Sequence, residues 1–286
     1  MKNAKGTSWL LFVLLSLIWG SSFILIKKSA EQLSGWQIGA VRIFSASVVF
    51  LPFAVFHVRQ LPRAKIPVVL LTGLLGNLFP AFLFGVAIQH SGESSLAGIL
   101  NSLTPLFVIL IGILFFGANL QRKKLAGVLV GFIGLFVLSL TQGPLTAGNV
   151  GYTLLILLAT VFYGLNVNIV GTYLKGLNPL KMATVSIGFL VVPTALVLWF
   201  NPVSLAKPDV RTSVGAAVTL GVLGSAAATV IFYALIKRAG GLFASLVTYV
   251  IPLVAIAWGL VYNETVGLVQ IGCPGIILSG VYLTNK

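Results

Sequence analysis

Tyr163 and Asn166 lie three residues apart in an apolar stretch, a spacing that sets a phenol and an amide side by side on one helical face. Polar groups in hydrocarbon are costly unless paired, so such a face must look into a helix bundle or a wet cavity. Trp19 holds the matching place in an earlier apolar stretch. Asn77, Asn101 and Tyr249 are further polar side chains in mid-stretch, with Ser21, Ser22, Asn168, Thr229 and Thr248 among them. An indole, phenols and amides can hold the apolar body of a small molecule and hydrogen-bond its polar end. Trp19, Asn77, Asn101, Tyr163, Asn166 and Tyr249 are therefore candidate substrate-binding residues. The alternative is that they join helices to one another, each contributing about 0.6 kcal/mol.

Pro105 and Pro252 cannot donate to the carbonyls of Asn101 and Thr248 four residues back, so each is expected to leave an acceptor free beside a polar side chain. Freed acceptors of that kind serve as hinges or ligand points in transporters. Arg42 is the one charge well inside an apolar stretch, and it must snorkel, pair with helix-end carbonyls or meet an anionic group. Without a second buried cation, a phosphorylated sugar or nucleotide would keep uncompensated charge, so a zwitterion or neutral metabolite fits better. Enzyme chemistry would need clustered titratable groups at one depth. His57 and His90 instead lie near opposite ends of their stretches, and Glu31, Glu93, Asp209 and Glu264 all sit at or near stretch ends. There is no metal-ligand spacing and no Gly-rich phosphate loop, so no catalytic residue, metal or cofactor is expected. Cys273, the sole thiol, sits beside Pro274 as a small packing residue.

The elements that position these groups follow from composition. Of 286 residues, 58% are hydrophobic and 8% charged, against roughly 25% charged in an ordinary soluble domain. A bilayer core of about 30 Å needs about 20 apolar residues per helix. Ten stretches qualify: 9–26, 35–56, 66–89, 95–116, 124–141, 149–173, 180–200, 212–236, 242–262 and 266–284. They lack the period-two pattern of barrel strands, which predicts an all-α polytopic membrane protein of ten transmembrane helices. The first stretch resembles a signal peptide only in its leading Lys2 and Lys5, since the apolar run continues to Ile26 without a small-residue cleavage pattern. An N-in, C-in arrangement puts thirteen of the 18 basic residues on the cytoplasmic side, as the positive-inside rule requires. The net charge of +14 is spread over six short segments with no aromatic-interleaved patch, so the expected partners are the lipid bilayer and a small-molecule substrate, not nucleic acid.

The five-stretch pattern is written twice, over 1–143 and 149–286. Gly73, Gly76, Phe84 and Gly92 match Gly221, Gly224, Phe232 and Gly240 at an offset of 148. Pro105 and Gly112 match Pro252 and Gly259 at 147, and Trp19-Gly20 matches Tyr163-Gly164 at 144. Because five is odd, the second copy must be inverted in the membrane, an arrangement characteristic of secondary transporters. Gly127 and Gly131 form a GxxxG, and Gly275 with Ser279 an analogue of it; either seam packs internally or supports a weak homodimer.

Ile18-Trp19-Gly20-Ser21-Ser22-Phe23, Arg42 in the second stretch, Pro105 and Pro252 in the fourth and ninth, and Tyr262-Asn263-Glu264 closing the ninth together resemble the EamA-type, ten-helix branch of the drug/metabolite transporter superfamily. The resemblance covers essentially the whole chain. It implies a carrier in a bacterial or archaeal inner membrane that exports amino acids or other small metabolites by alternating access. Its cavity would be lined mainly by the first, third, fourth, sixth, eighth and ninth helices, with a structural or gating role for Arg42. The family's Glu at the end of the fourth helix is Gly117 here, in contrast to Glu264 in the second half. A channel or lipid flippase on the same frame is the alternative, and a membrane-embedded enzyme a more distant one.

Overall fold

The computed structural model describes residues 2–91, 94–119, 121–140, 150–261 and 268–285, and every regular element among them is helical. The first half comprises α1 (Lys2–Ala30), α2 (Gly35–Val58), α3 (Ile66–Gly73), a π-helical segment π1 (Leu74–Leu78), α4 (Phe79–Ser91), α5 (Ser94–Asn101), α6 (Thr104–Phe116) and α7 (Arg122–Leu140). The second comprises α8 (Val150–Tyr173), α9 (Pro179–Gly188), α10 (Val191–Phe200), α11 (Pro208–Thr219), π2 (Leu220–Ala227), α12 (Ala228–Ala239), α13 (Gly241–Ser245), α14 (Val247–Val261) and α15 (Leu268–Asn285). Local sequence sets the boundaries. Ser34 and Gln37 form a capping box at the start of α2, Asn178 caps α9 ahead of Pro179, and Gly117 closes α6 at a φ of 60° that only glycine adopts cheaply.

Six helical rods are long and apolar enough to cross a bilayer: Gly6–Ala30, Gly35–Val58, Arg63–His90, Val150–Tyr173, Pro179–Phe200 and Pro208–Ala239. They carry large apolar side chains on their outside, among them Leu10, Phe56, Trp199 and Phe200. Such a surface is stable only against lipid, which makes this an integral membrane protein. The other four expected stretches are helical too, but shorter. The fourth breaks at Ser102 and Leu103 and the ninth at Leu246, and the last three all run up to residues outside the description. Glu93 and the Tyr262-Asn263-Glu264 run lie outside the described residues.

Packing is reciprocal between the halves. Helix α2 lies along α9 and α7 along α15; α1 runs against α14 as α8 runs against α6; and α2 meets π2 as α9 meets α3. Two glycines make the last pair of contacts. A Cβ at Gly73 would overlap the carbonyl oxygen of Ser186, and one at Gly221 would overlap that of Arg42 and the Ser45 hydroxyl. Arg42 and Ser186 are themselves 144 residues apart, the spacing of Trp19 and Tyr163. Gly73 immediately precedes π1, and Gly221 is the second residue of π2. Pro80 accounts for π1, because its missing N–H interrupts the α-helical ladder one turn on. No proline attends π2, which is held instead by its contact with α2 and by Gly224 against Ser22.

The Gly127–Gly131 seam is filled within the chain. A Cβ at Gly127 would overlap the Thr284 hydroxyl, and Gly131 lies against the Tyr249 ring. Gly275 and Ser279 are exposed.

Candidate functional site

A cavity of about 70 Å3, counted as space open to the centres of water molecules, lies between the halves. One water needs roughly 10–15 Å3 on that measure, so the space holds about five to seven water-sized groups. Five of the six substrate-binding candidates line it: Trp19 from α1, Asn77 from π1, Asn101 from α5, and Tyr163 and Asn166 from α8. Arg42 joins them from α2.

Tyr249 does not. Its ring packs against Gly131, and its hydroxyl donates to the Val128 carbonyl at 3.0 Å, so it ties α14 to α7 in the core. Successive helical residues point about 100° apart, and on α14 it is Thr248 that faces the cavity. Assigning Tyr249 to the substrate was therefore a misreading of helical phase.

The aromatic walls are built in equivalent pairs. Trp19 lies against Phe232 with centroids 5.1 Å apart, and Tyr163 stacks on Phe84 at 6.3 Å. Phe84 and Phe232 are the residues matched at offset 148, so each ring of the first-and-sixth-stretch pair is backed by a phenylalanine of the opposite half. The Trp19 N–H is already spent on the Gly224 carbonyl, 3.0 Å away in π2. Trp19 thus offers the cavity an aromatic face and no donor.

The hydrogen-bonding groups divide into committed and uncommitted ones. Asn77 Oδ1 accepts from the Thr229 hydroxyl at 3.1 Å, joining π1 to α12. Asn168, outside the cavity, donates to the carbonyls of Val108 and Gly164 and fastens α8 to α6. Asn166 Oδ1 and the Tyr233 hydroxyl, by contrast, are buried without a hydrogen-bond partner. The side chains of Thr72, Ser186 and Asn166 lie close enough to influence that hydroxyl, but none meets it in hydrogen-bonding geometry. Arg42 Nε donates to the Ser225 hydroxyl of π2 at 2.8 Å. No carboxylate faces the guanidinium among the described residues, whose sole ion pair is Lys28 with Glu31. The Tyr163 hydroxyl lies within its electrostatic reach.

The proline expectation needs correction. The carbonyl of Asn101 accepts from the Thr104 hydroxyl at 2.6 Å, and that of Thr248 accepts from the hydroxyl of Ser102, in the break between α5 and α6, at 3.0 Å. Hydroxyls therefore satisfy both acceptors, and the helix breaks lie before the prolines, with Pro105 second in α6 and Pro252 inside α14. His57 bonds the Thr184 hydroxyl and His90 stacks on Tyr152, so neither reaches the cavity. Phe84, Phe232 and Tyr233 also line the cavity and were missed as site residues. The repeat offset marks the first two, since a residue matched in both copies of a five-helix unit is a candidate for their shared axis. Nothing in the local sequence marks Tyr233.

Relatives share this frame. A solved crystal structure superposes with a TM-score of 0.71 at 18% identity, covering 97% of this chain and 96% of that one, which speaks for the fold alone. An uncharacterized transporter of Archaeoglobus fulgidus is 24% identical, covering 97% of this chain and 98% of that protein. The uncharacterized inner membrane transporter YedA of Escherichia coli K12 is 25% identical, covering 95% of this chain and 88% of that protein. A Salmonella typhimurium protein named "Probable amino-acid metabolite efflux pump" is 32% identical over 133 residues, covering 45% of this chain and 41% of its own. The model of the EamA-like transporter family matches residues 7–140 and again residues 151–286, so the chain belongs to that family and carries its repeat twice.

Proposed function

We propose that this transporter is a secondary carrier that exports small zwitterionic or neutral metabolites, such as amino acids, across a bacterial or archaeal inner membrane by alternating access. The observation that carries the reading is the cavity itself, which is small, walled by aromatic pairs and lined by groups from both halves. Ten helices in two inverted sets of five, with both termini cytoplasmic, form the frame of this proposal. The reciprocal packing supports it, and so does the crowding of basic residues into the segments assigned to the inside. The name of the Salmonella relative supports amino-acid efflux. The π segments and the glycine contacts beside them supply surfaces on which one half can rock against the other, because backbones in direct contact slide without side chains to clear.

Counterflow in proteoliposomes tests the reading. Vesicles loaded with one neutral amino acid should take up labelled amino acid in a saturable manner, and Tyr163→Ala should depress the rate while leaving folded yield near normal. Ohmic single-channel current, or transbilayer lipid movement without solute exchange, would remove it.

A further inference from the structure

Resting on the carrier reading, we infer that the cavity is polarised: Arg42 seats the substrate's carboxylate, and Asn166 with Tyr233 seats its ammonium or another donor group. The two poles are equivalent places in the duplicated frame that have diverged in chemistry. Arg42 on α2 corresponds to Ser186 on α9, and each offers its carbonyl to a glycine at the start of a π segment, Gly221 or Gly73. Ser22 on α1 corresponds to Asn166 on α8, and these pack on Gly224 and Gly76 respectively. One pole received a guanidinium and the other received amide and phenol.

The Arg42 pole has unused capacity. Guanidinium carries five N–H donors, of which Nε is engaged by Ser225. The Nε bond is the one hydrogen bond the guanidinium makes to described protein groups, no carboxylate faces it among them, and an uncompensated cation in a membrane interior is costly. A carboxylate accepts two of those donors at once, with charge assistance. The opposite pole has complementary capacity. Ser22 spends its hydroxyl on Ile18, whereas its counterpart Asn166 keeps a buried acceptor with no donor. Thr72 and Ser186 spend their protons on their own helices, at Val69 and Ala183, and so present only lone pairs beside Tyr233. The Tyr233 O–H can serve only one of these acceptors, and an ammonium group supplies donors to the rest. Tyr163 links the poles, lying within reach of Arg42 and one turn from Asn166, about 5–6 Å between Cβ atoms. An organic cation would meet like charge at one pole, and a dianion would find no second cation among the described lining residues.

The test is a binding series on the purified full chain in detergent, read by thermal stabilisation and Kd. Each neutral L-amino acid is compared with its amide, which removes the carboxylate at constant size, and with its deaminated acid. At least one amino acid should bind, with its amide weaker by about tenfold or more and its deaminated acid weaker by severalfold. Arg42→Gln should bring the acid down to the level of the amide, Arg42→Lys should restore part of the difference, and Asn166→Leu should bring acid and deaminated acid together. The proposal is overturned if no amino acid is preferred over its amide by the wild-type protein, a comparison that needs no variant to fold. It is also overturned if folded Arg42→Gln keeps the preference. Arg42-dependent binding without counterflow would cost the carrier reading and leave the anchor standing; counterflow indifferent to the carboxylate would do the reverse.

Discussion

Gly221→Ala probes the contact on which both Arg42 and π2 depend. A Cβ there would overlap the Arg42 carbonyl oxygen and the Ser45 hydroxyl, and the obstacle is backbone, which cannot swing aside. Reaching ordinary contact requires α2 and π2 to part by about 1.3–1.9 Å. The same displacement would stretch the 2.8 Å bond between Arg42 Nε and Ser225 Oγ to about 4 Å or more, beyond hydrogen-bonding range. Overpacking of this kind costs about 1–3 kcal/mol, loss of a charged hydrogen bond about 1.5–3, and the helix-propensity gain of alanine returns about 1, for a net loss of roughly 1.5–5 kcal/mol. Gly73→Ala meets the Ser186 carbonyl oxygen with no guanidinium at stake, so its loss should be smaller. Gly215→Ala, where nothing lies within 4 Å of the added carbon, is the control and should stabilise by up to about 1 kcal/mol. Unfolding of the three variants in detergent, followed by intrinsic fluorescence against denaturant or temperature, gives the ranking. If Gly221→Ala matches Gly215→Ala in stability, the close approach of α2 to π2 is wrong, and the account of how Arg42 is held fails with it.

Tyr249→Phe removes a buried hydroxyl that donates to Val128, so stability should fall by about 1 kcal/mol while substrate affinity stays unchanged. A severalfold loss of affinity would return Tyr249 to the site. Energy coupling is the next expectation. Among the described residues the carboxylates Glu31 and Asp209 stand outside the cavity, and neither histidine lines it, so flux should follow the substrate gradient with no drive from protons. Uphill accumulation in proteoliposomes under an imposed pH gradient, abolished in Glu264→Gln, would show the protein to be proton-coupled and make that residue its coupling site.

Much of the frame was legible because it rests on quantities that sequence carries without a third dimension. Apolar run length fixes where helices lie, and the cost of a polar group in hydrocarbon fixes that Trp19, Asn77, Asn101, Tyr163 and Asn166 must turn inward. Repeat offsets went further: the spacing shared by Trp19 with Tyr163 and by Arg42 with Ser186 carries the symmetry of the cavity. What sequence could not carry was the fate of individual hydrogen bonds. A proline announces that an acceptor is freed, but whether Thr104 or Ser102 then caps it depends on helix phase and on which helix stands opposite. Tyr249 was lost to phase in the same way, with its neighbour Thr248 turned to the cavity. Tyr233 was illegible for a different reason. A tyrosine two turns below a π segment reads as core in any sequence, and it becomes notable only when the structure leaves its hydroxyl, and Asn166 beside it, without a partner. In a duplicated carrier the shared elements build the walls and the hinges, and the substrate is recognised where the two copies differ. Arg42 against Ser186, and Asn166 against Ser22, are differences of that kind. They are the positions at which exchanging residues between the halves should abolish the preference for an amino acid over its amide in the binding series, whereas Phe84 and Phe232 are identical in the two copies and can carry no such difference.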